Sequence, residues 1–239
     1  MKYIDWTLPT PAENLACDEA LLDLCEAGQA GEILRFWEAR ELFVVVGYAN
    51  QAAREVNIQA CQAHGIGIFR RCTGGGTVLQ GPGCLSYSLI LRIPETGPLQ
   101  SITGTNNFIM GRNQAALATL LREPVGIRGH TDLAVGELKF SGNAQRRRRK
   151  FLIFHGTLLL TFDLPMIEKF LRMPSQQPDY REHRPHKEFL SNLNLTPATV
   201  KRAFQDQWQA TKPLNDLPLA EIQELSRTKY ATAEWNLKL

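Results

Sequence analysis

Three short stretches of this chain carry residue types that could do chemistry. Arg70-Arg71-Cys72-Thr73-Gly74-Gly75-Gly76-Thr77-Val78 sets two guanidinium groups beside three consecutive glycines. Glycines lack a Cβ, so backbone can approach a ligand closely and offer N–H groups to a phosphate or carboxylate. An arginine beside them can grip the same anion bidentately. A glycine-rich turn with solvated arginines has the same composition, and neither G-x-x-x-x-G-K-[ST] nor a helix-opening G-x-G-x-x-G is present. Lys139-Phe140-Ser141-Gly142-Asn143-Ala144 supplies a lysine with small neighbours. Such a cation could stabilise the charge that builds as a carboxylate attacks an α-phosphate, whereas a lone exposed strand lysine would mean nothing. His155-Gly156-Thr157-Leu158-Leu159 puts a histidine and a glycine inside an apolar run. The gap beside Gly156 could admit a ligand chain, and His155 taken alone reads as a core histidine hydrogen-bonded to backbone.

Periodicity supplies the elements that must position these stretches. Leu15, Leu22 and Cys25 recur near every 3.6 residues, which predicts a helix over residues 14–27 stopped by Gly28. Residues 106–121 carry a second stripe of Ile109, Ala116, Leu117 and Leu120. Shorter helices are expected over residues 56–64, from Asp163-Leu164-Pro165 to Arg172, and after Thr196-Pro197, where Val200, Phe204 and Trp208 form an apolar face. β-Branched and aromatic runs predict strands at residues 33–37, 42–48, 66–71, 85–93, 137–145 and 151–162. Alternation along residues 137–145 puts Lys139, Ser141 and Asn143 on one face and Leu138 and Phe140 on the other. The lysine is therefore aimed away from the core. Residues 173–186 read as a long polar, proline-rich loop, and the five cations at 146–150 fall at a hairpin tip. Strands and helices interleave without strict alternation, so the fold class is α+β with a mixed sheet.

The 239 residues are 44% hydrophobic and 21% charged, the composition of an ordinary globular protein able to bury a core without disulfide or metal. The net charge is 27 − 24 = +3, and without the run at 146–150 it is 3 − 5 = −2. A nucleic-acid binder would spread cations over a face, so that class is disfavoured. Asp5, Pro9 and Pro11 interrupt any secretory signal, and the longest apolar runs fall short of the ~20 residues that span a bilayer. A cytoplasmic location away from membranes is expected. Five cysteines without a C-x-x-C pair argue against a disulfide framework or a thiolate zinc site, and most are expected as buried small hydrophobes.

In this order the three stretches strongly resemble the lipoate-protein ligase family, part of the wider group of lipoate and biotin protein ligases and octanoyltransferases. The family's R-R-x-x-G-G-G-x-V stands at residues 70–78, its K-x-S-G-x-A at 139–144 and its H-G-T-L-L at 155–159. Weaker echoes are Asn14-Leu15-Ala16 with Asp18-Glu19, Trp37 followed by Val46-Gly47, Asp132-Leu133, and Glu234-Trp235-Asn236. The pattern at residues 70–76 differs from that of biotin ligases.

The resemblance implies a largely antiparallel sheet flanked by helices and a two-step reaction. Lipoate and MgATP would form lipoyl-AMP, and the acyl group would pass to a lysine of a lipoyl domain or a glycine-cleavage H protein. ATP and Mg2+ are the implied cofactors, with metal ligands unassigned. Arg71, Gly75, Gly76, Thr77, Val78, Leu79 and Asp132 would bind nucleotide. Lys139 would be catalytic, touching both carboxylate and phosphate. Arg70, Gly74, Ser141, Gly142, His155 and Gly156 would bind the acyl substrate, lipoate or octanoate.

Two departures bear on the reaction. Two-domain family members continue into an accessory domain after the tryptophan segment, whereas this sequence stops four residues past Trp235. A single catalytic domain over residues 1–239 is therefore expected, served by a separate small accessory subunit or needing none. Relatives that move octanoyl or lipoyl groups without ATP use a cysteine in the loop ahead of the lysine motif or downstream of it. That loop reads Gly126-Ile127-Arg128-Gly129-His130-Thr131-Asp132, and no cysteine follows Cys84. Two arginines beside Cys72 would lower its pKa. Yet neither Cys72 nor Cys84 stands at a nucleophile position, so structural roles are expected for both. The leading expectation is an ATP-dependent lipoate-protein ligase; the alternative is an ATP-independent octanoyl or lipoyl transferase on the same fold. A third class is a non-catalytic protein gripping nucleic acid or an acidic surface through residues 146–150. That run reads more simply as a solvated tip, or as a patch that meets an acidic acceptor domain.

Overall fold

The computed structural model describes residues 1–238 and gathers eleven strands into two sheets. The strands are β1 (Lys2–Asp5), β2 (Ile33–Trp37), β3 (Phe43–Val46), β4 (Gly67–Arg70), β5 (Val78–Gln80) and β6 (Cys84–Arg92). They continue as β7 (Val125–Arg128), β8 (Asp132–Val135), β9 (Leu138–Arg147), β10 (Phe151–Leu159) and β11 (Lys212–Pro213). The larger sheet runs β11-β1-β2-β6-β10-β9-β8-β7 and the smaller β4-β3-β5. Every pair from β2 to β7 is antiparallel; parallel pairing occurs at β11-β1-β2 and at β3-β4. The expected α+β class with a mixed, largely antiparallel sheet is what the chain adopts.

The two-residue period of the strands sorts the core into layers. Leu152 and Phe154 of β10 face the helices Ile102–Ala118 and Pro197–Trp208 with Phe36, Tyr87 and Phe140. There the Phe204 ring meets Phe36 and Tyr87 edge-on at 6.2 and 5.0 Å. Ile153, one residue out of phase, faces the helix Pro11–Glu26 through Leu21, Leu22 and Cys25. A third cluster joins Val44, Val46 and Leu79 of the small sheet to Cys84, Leu159 and Phe170. No helix among the described residues is long and apolar enough to cross a membrane.

Several boundaries move for identifiable reasons. The first helix begins at Pro11, ahead of its apolar period, because Thr10 and Glu13 cap it reciprocally. The helix Ile102–Ala118 starts where the Ser101 hydroxyl accepts from the Gly104 N–H, four residues before the expected start at residue 106. Residues 126–132, expected as a loop, form the β7–β8 hairpin, with Gly129 at φ +53 in its turn. Glycines at both ends of that hairpin broke the alternation that would have marked it. Leu138 was expected in the core, but it opens β9 and is 39% exposed, and the core face begins at Phe140.

The cation run is solvated only at its end: Arg149 and Lys150 are exposed, as expected of a tip, whereas the three arginines before them are tied into the fold. Arg146 and Arg147 lie within β9; Arg146 pairs with Glu19 at 2.9 Å, and Arg147 donates to the Leu99 carbonyl and the Thr105 hydroxyl. Arg148 pairs with Asp23, and Glu26 accepts the backbone N–H groups of Lys150 and Phe151. The tip is clamped onto the first helix.

Arg70 also departs from its expected role in substrate binding. Its guanidinium is fully buried and every nitrogen donates to backbone carbonyls. Nε reaches Trp235, Nη1 reaches Gly47, Tyr48 and Asn50, and Nη2 reaches Asn236 and Lys238, all within 2.6–3.2 Å. Asn236 returns an acceptor to the Arg70 N–H, and the Trp235 indole donates to its carbonyl. Arg70 staples the C-terminal segment onto β3 and β4 and has nothing left for a ligand. Arg70→Met leaves these carbonyls without their donor and is expected to cost about 3 kcal/mol in urea unfolding. Arg70→Lys, with three donors, should recover only part of that loss.

Candidate active site

A cleft of about 1250 Å³ is lined by both sheets and by residues 174–181 of the segment that follows the helix Pro165–Phe170. Its volume suits an acyl chain together with a nucleotide. One wall is the glycine loop between β4 and β5. Gly75 sits at φ +81, and a side chain at Gly47 would overlap the Gly75 carbonyl, so two backbones meet there with no room for a Cβ. Arg71, next to Arg70 on extended backbone, points the opposite way and into this loop. Its Nε donates to the Thr73 hydroxyl and the Gly74 carbonyl at 3.0 Å, and Nη2 donates to the Gly76 carbonyl at 2.7 Å. Burial lowers its pKa to about 10, which leaves it cationic at neutral pH.

The adjoining wall is built by β8, β9 and β10. Lys139 lies 2.8 Å from the Asp132 carboxylate, with the two side chains 25% and 14% exposed. A Cβ at Gly142 would stand 2.9 Å from the Lys139 ammonium, so the glycine three residues on lets the lysine lie flat along its own strand. Ser141 is buried beneath it. Gly156 lines the cleft, but the gap expected beside it is filled: a Cβ there would overlap the Asn143 amide. Asn143 donates to the Thr131 carbonyl at 2.6 Å and accepts from the Tyr87 hydroxyl at 2.5 Å, tying β9 to β6.

His155 shares the phase of Ile153 on β10 and so faces the first helix. Its Nδ1 lies 2.8 Å from Asp18 and its Nε2 2.6 Å from the Thr73 hydroxyl. The tautomer that satisfies both contacts donates from Nδ1 and accepts at Nε2. Asp18 in turn pairs with Arg35 at 2.6 Å, and Arg35 is held by Asn14. A buried chain therefore runs Arg35–Asp18–His155–Thr73–Arg71 and ends at the glycine loop. Both nitrogens of His155 are committed to it, so the histidine offers the cleft its ring rather than a proton.

Of the residues singled out from sequence, Arg71, Gly74, Gly75, Gly76, Thr77, Val78, Leu79, Asp132, Lys139, Ser141, Gly142, His155 and Gly156 all line this cleft, and Arg70 does not. Asp18, Asn143 and Tyr180 belong to it as well. Asp18 carried a signal only as a weak motif echo, and Tyr180, inside the polar loop, carried none.

Among the described residues no cysteine lines the cleft, and all five are buried. Burial pushes Cys17 up to about 11 and Cys25 and Cys84 up to about 12. Cys72 is raised too, by burial and the Glu19 charge, against the lowering expected from its arginine neighbours. Arg70 faces the C-terminal carbonyls and Arg71 the glycine loop, so neither serves the thiol.

Burial alone would raise the Asp18 carboxyl, but the charge of Arg35 and the hydrogen bond and charge of His155 outweigh it, holding it below the ordinary range. A carboxyl depressed on folding stabilises the native state above its unfolded pKa of about 4 and loses that contribution as pH falls. Urea unfolding of the protein should therefore weaken as pH drops from neutral to below 4, and Asp18→Asn should be less stable at neutral pH and show a flatter slope.

The description "Lipoyl protein ligase A/B catalytic domain" belongs to a family model that matches residues 10–209. Octanoyltransferase LipM of Brevibacillus brevis is 27% identical, over 99% of this chain and 98% of its own. Putative lipoate-protein ligase A of Aeropyrum pernix is 31% identical, over 87% of this chain and 74% of its own. The bi-partite lipoate protein ligase of Thermoplasma acidophilum shares the fold, with TM-score 0.81, 23% identity and coverage of 99% and 95%. The matched region contains the glycine loop, Lys139 and His155, and the chain belongs to the lipoyl protein ligase A/B catalytic domain family.

Proposed function

We propose that this protein activates a lipoate-type acid with ATP and transfers the acyl group to a lysine of a lipoyl domain or H protein. The observation that carries the reading is Lys139, a cation paired with Asp132 in the same cleft as the Arg71 glycine loop, with no thiol lining it. In the first step a carboxylate oxygen of the acid bonds to the α-phosphorus of ATP as the bond to pyrophosphate breaks. Lys139 lies where it can stabilise the negative charge gathering on both partners. Arg71, Gly75, Gly76 and the backbone of Thr77, Val78 and Leu79 hold the nucleotide. Ser141, Gly142, His155 and Gly156 form the acyl side. In the second step the acceptor lysine bonds to the acyl carbon and AMP leaves.

Mg2+ is bound in such sites through one or two carboxylates and substrate phosphates, and it keeps several waters. Asp132 faces the cleft and is the carboxylate that would hold the metal, through oxygen lone pairs not taken by Lys139 and Tyr180. The metal would supply charge neutralisation on the departing pyrophosphate.

The alternative is acyl transfer from an octanoyl or lipoyl donor without ATP. What favours it is full-length similarity to proteins named octanoyltransferase LipM, those of Brevibacillus brevis and Bacillus subtilis among them. Against it stand the five buried cysteines, none of which lines the cleft.

Intact-mass analysis of a lipoyl-domain acceptor separates the two. A lipoyl mass gain with lipoate plus MgATP, and none with octanoyl-loaded carrier protein, supports the ligase. The reverse pattern moves the assignment to acyl transfer. Formation of lipoyl-AMP without acceptor modification would indicate that a separate accessory protein is needed. Lys139→Ala is expected to lower the activation rate at least about hundredfold while leaving thermal unfolding nearly unchanged. Full activity in that variant would remove Lys139 from the chemistry.

A further inference from the structure

We propose that Tyr180 is a positioning residue for Lys139, acting through Asp132. The proposal rests on Lys139 being the working cation of the site and is independent of which acyl donor the protein uses.

Asp132 has two carboxylate oxygens with two different partners. Oδ1 lies 2.8 Å from the Lys139 ammonium, and Oδ2 accepts the Tyr180 hydroxyl at 2.8 Å. An ammonium is a point charge on a flexible stem, with three donors free to rotate. Its direction is set by whatever holds its anion, and an anion held on one side only can swing. Tyr180 supplies the second attachment, so that one Lys139 donor is fixed on Asp132 and the others are left for the cleft.

Tyr180 is itself immobilised. Its ring packs 5.1 Å from Phe189, and Phe189 is covered by the guanidinium groups of Arg181 and Arg184 at 4.7 and 5.3 Å. Arg184 donates to the Tyr180 carbonyl at 2.8 Å and to the Glu137 carbonyl at 3.2 Å, and the Ser191 N–H donates to the Lys139 carbonyl at 2.9 Å. At its other end the segment is tied down by the Ser175 N–H, which donates to Glu55. The stretch that carries Tyr180 is thus fastened to the strand that carries Lys139.

Tyr180→Phe removes the hydroxyl and keeps the ring against Phe189. Two readouts test the proposal. The first needs no turnover: labelling of Lys139 by an amine-selective acylating ester, followed by peptide mass spectrometry with exposed Lys212 as reference. Loosening of the ion pair should raise the Lys139/Lys212 labelling ratio about threefold, matching Asp132→Asn. The second is steady-state kinetics with whichever donor the protein accepts. There kcat should fall about tenfold with KM within about twofold, and the double variant with Asp132→Asn should be no slower than Asp132→Asn alone. An unchanged labelling ratio, or losses that multiply in the double variant, would overturn the proposal. Absence of turnover with either donor in the unmodified protein would count against the proposed acyl transfer, and the labelling ratio would still decide the role of Tyr180.

Discussion

Two adjacent carboxylates carried into the core by the first helix, Asp18 and Glu19, are 2% and 3% exposed, and charges so placed must be paired or they unfold the protein. The pairing organises the molecule. Asp18 takes Arg35 from β2 and His155 from β10, and His155 takes Thr73 from the glycine loop. Glu19 takes Arg146 from β9 and Lys229 and Tyr230 from the C-terminal region. Burial alone would raise the Glu19 carboxyl, but Lys229 and Tyr230 outweigh it and hold it below its ordinary range. One helical turn thereby connects the sheet, the glycine loop, the cationic hairpin and the C-terminal region.

The same constraint explains why conspicuous cations are not where ligands bind. Arg70, Arg146, Arg147 and Arg148 are consumed by carbonyls and carboxylates of the fold. Among the cations that line the cleft, Arg71 is held on the glycine carbonyls and Lys139 on Asp132, partners that also face it. Glycine has two distinct uses there. At Gly47 and Gly75 it lets backbone meet backbone, and at Gly142 and Gly156 it makes room for the side chains of Lys139 and Asn143.

The cleft and the relatives weigh differently on the source of the acyl group. Similarity along the whole chain runs to octanoyltransferases, whereas the cleft presents Lys139, several arginines and glycines but no thiol. Acyl transfer through a cysteine needs an accessible thiolate, and burial raises the pKa of all five thiols here.

What the sequence determined by itself was local. The glycine triplet, the lysine followed three residues later by glycine, and the histidine–glycine pair are short patterns whose chemistry follows from residue type, and strand alternation correctly aimed Lys139 off the core face. The α+β class followed from the order of the elements. The β7–β8 hairpin escaped because glycines broke its alternation, and Leu138 because a strand end is exposed whatever its phase. The tertiary structure alone decided which of two neighbouring arginines enters the cleft, since one step along extended backbone reverses the direction of a side chain. It also decided who holds whom: Asp18 and His155 are 137 residues apart, Arg70 and Asn236 are 166, and Asp132 and Tyr180 are 48. No local spacing encodes such pairs, because they form only when packed layers bring distant segments into a low-dielectric interior where each buried charge must find its partner.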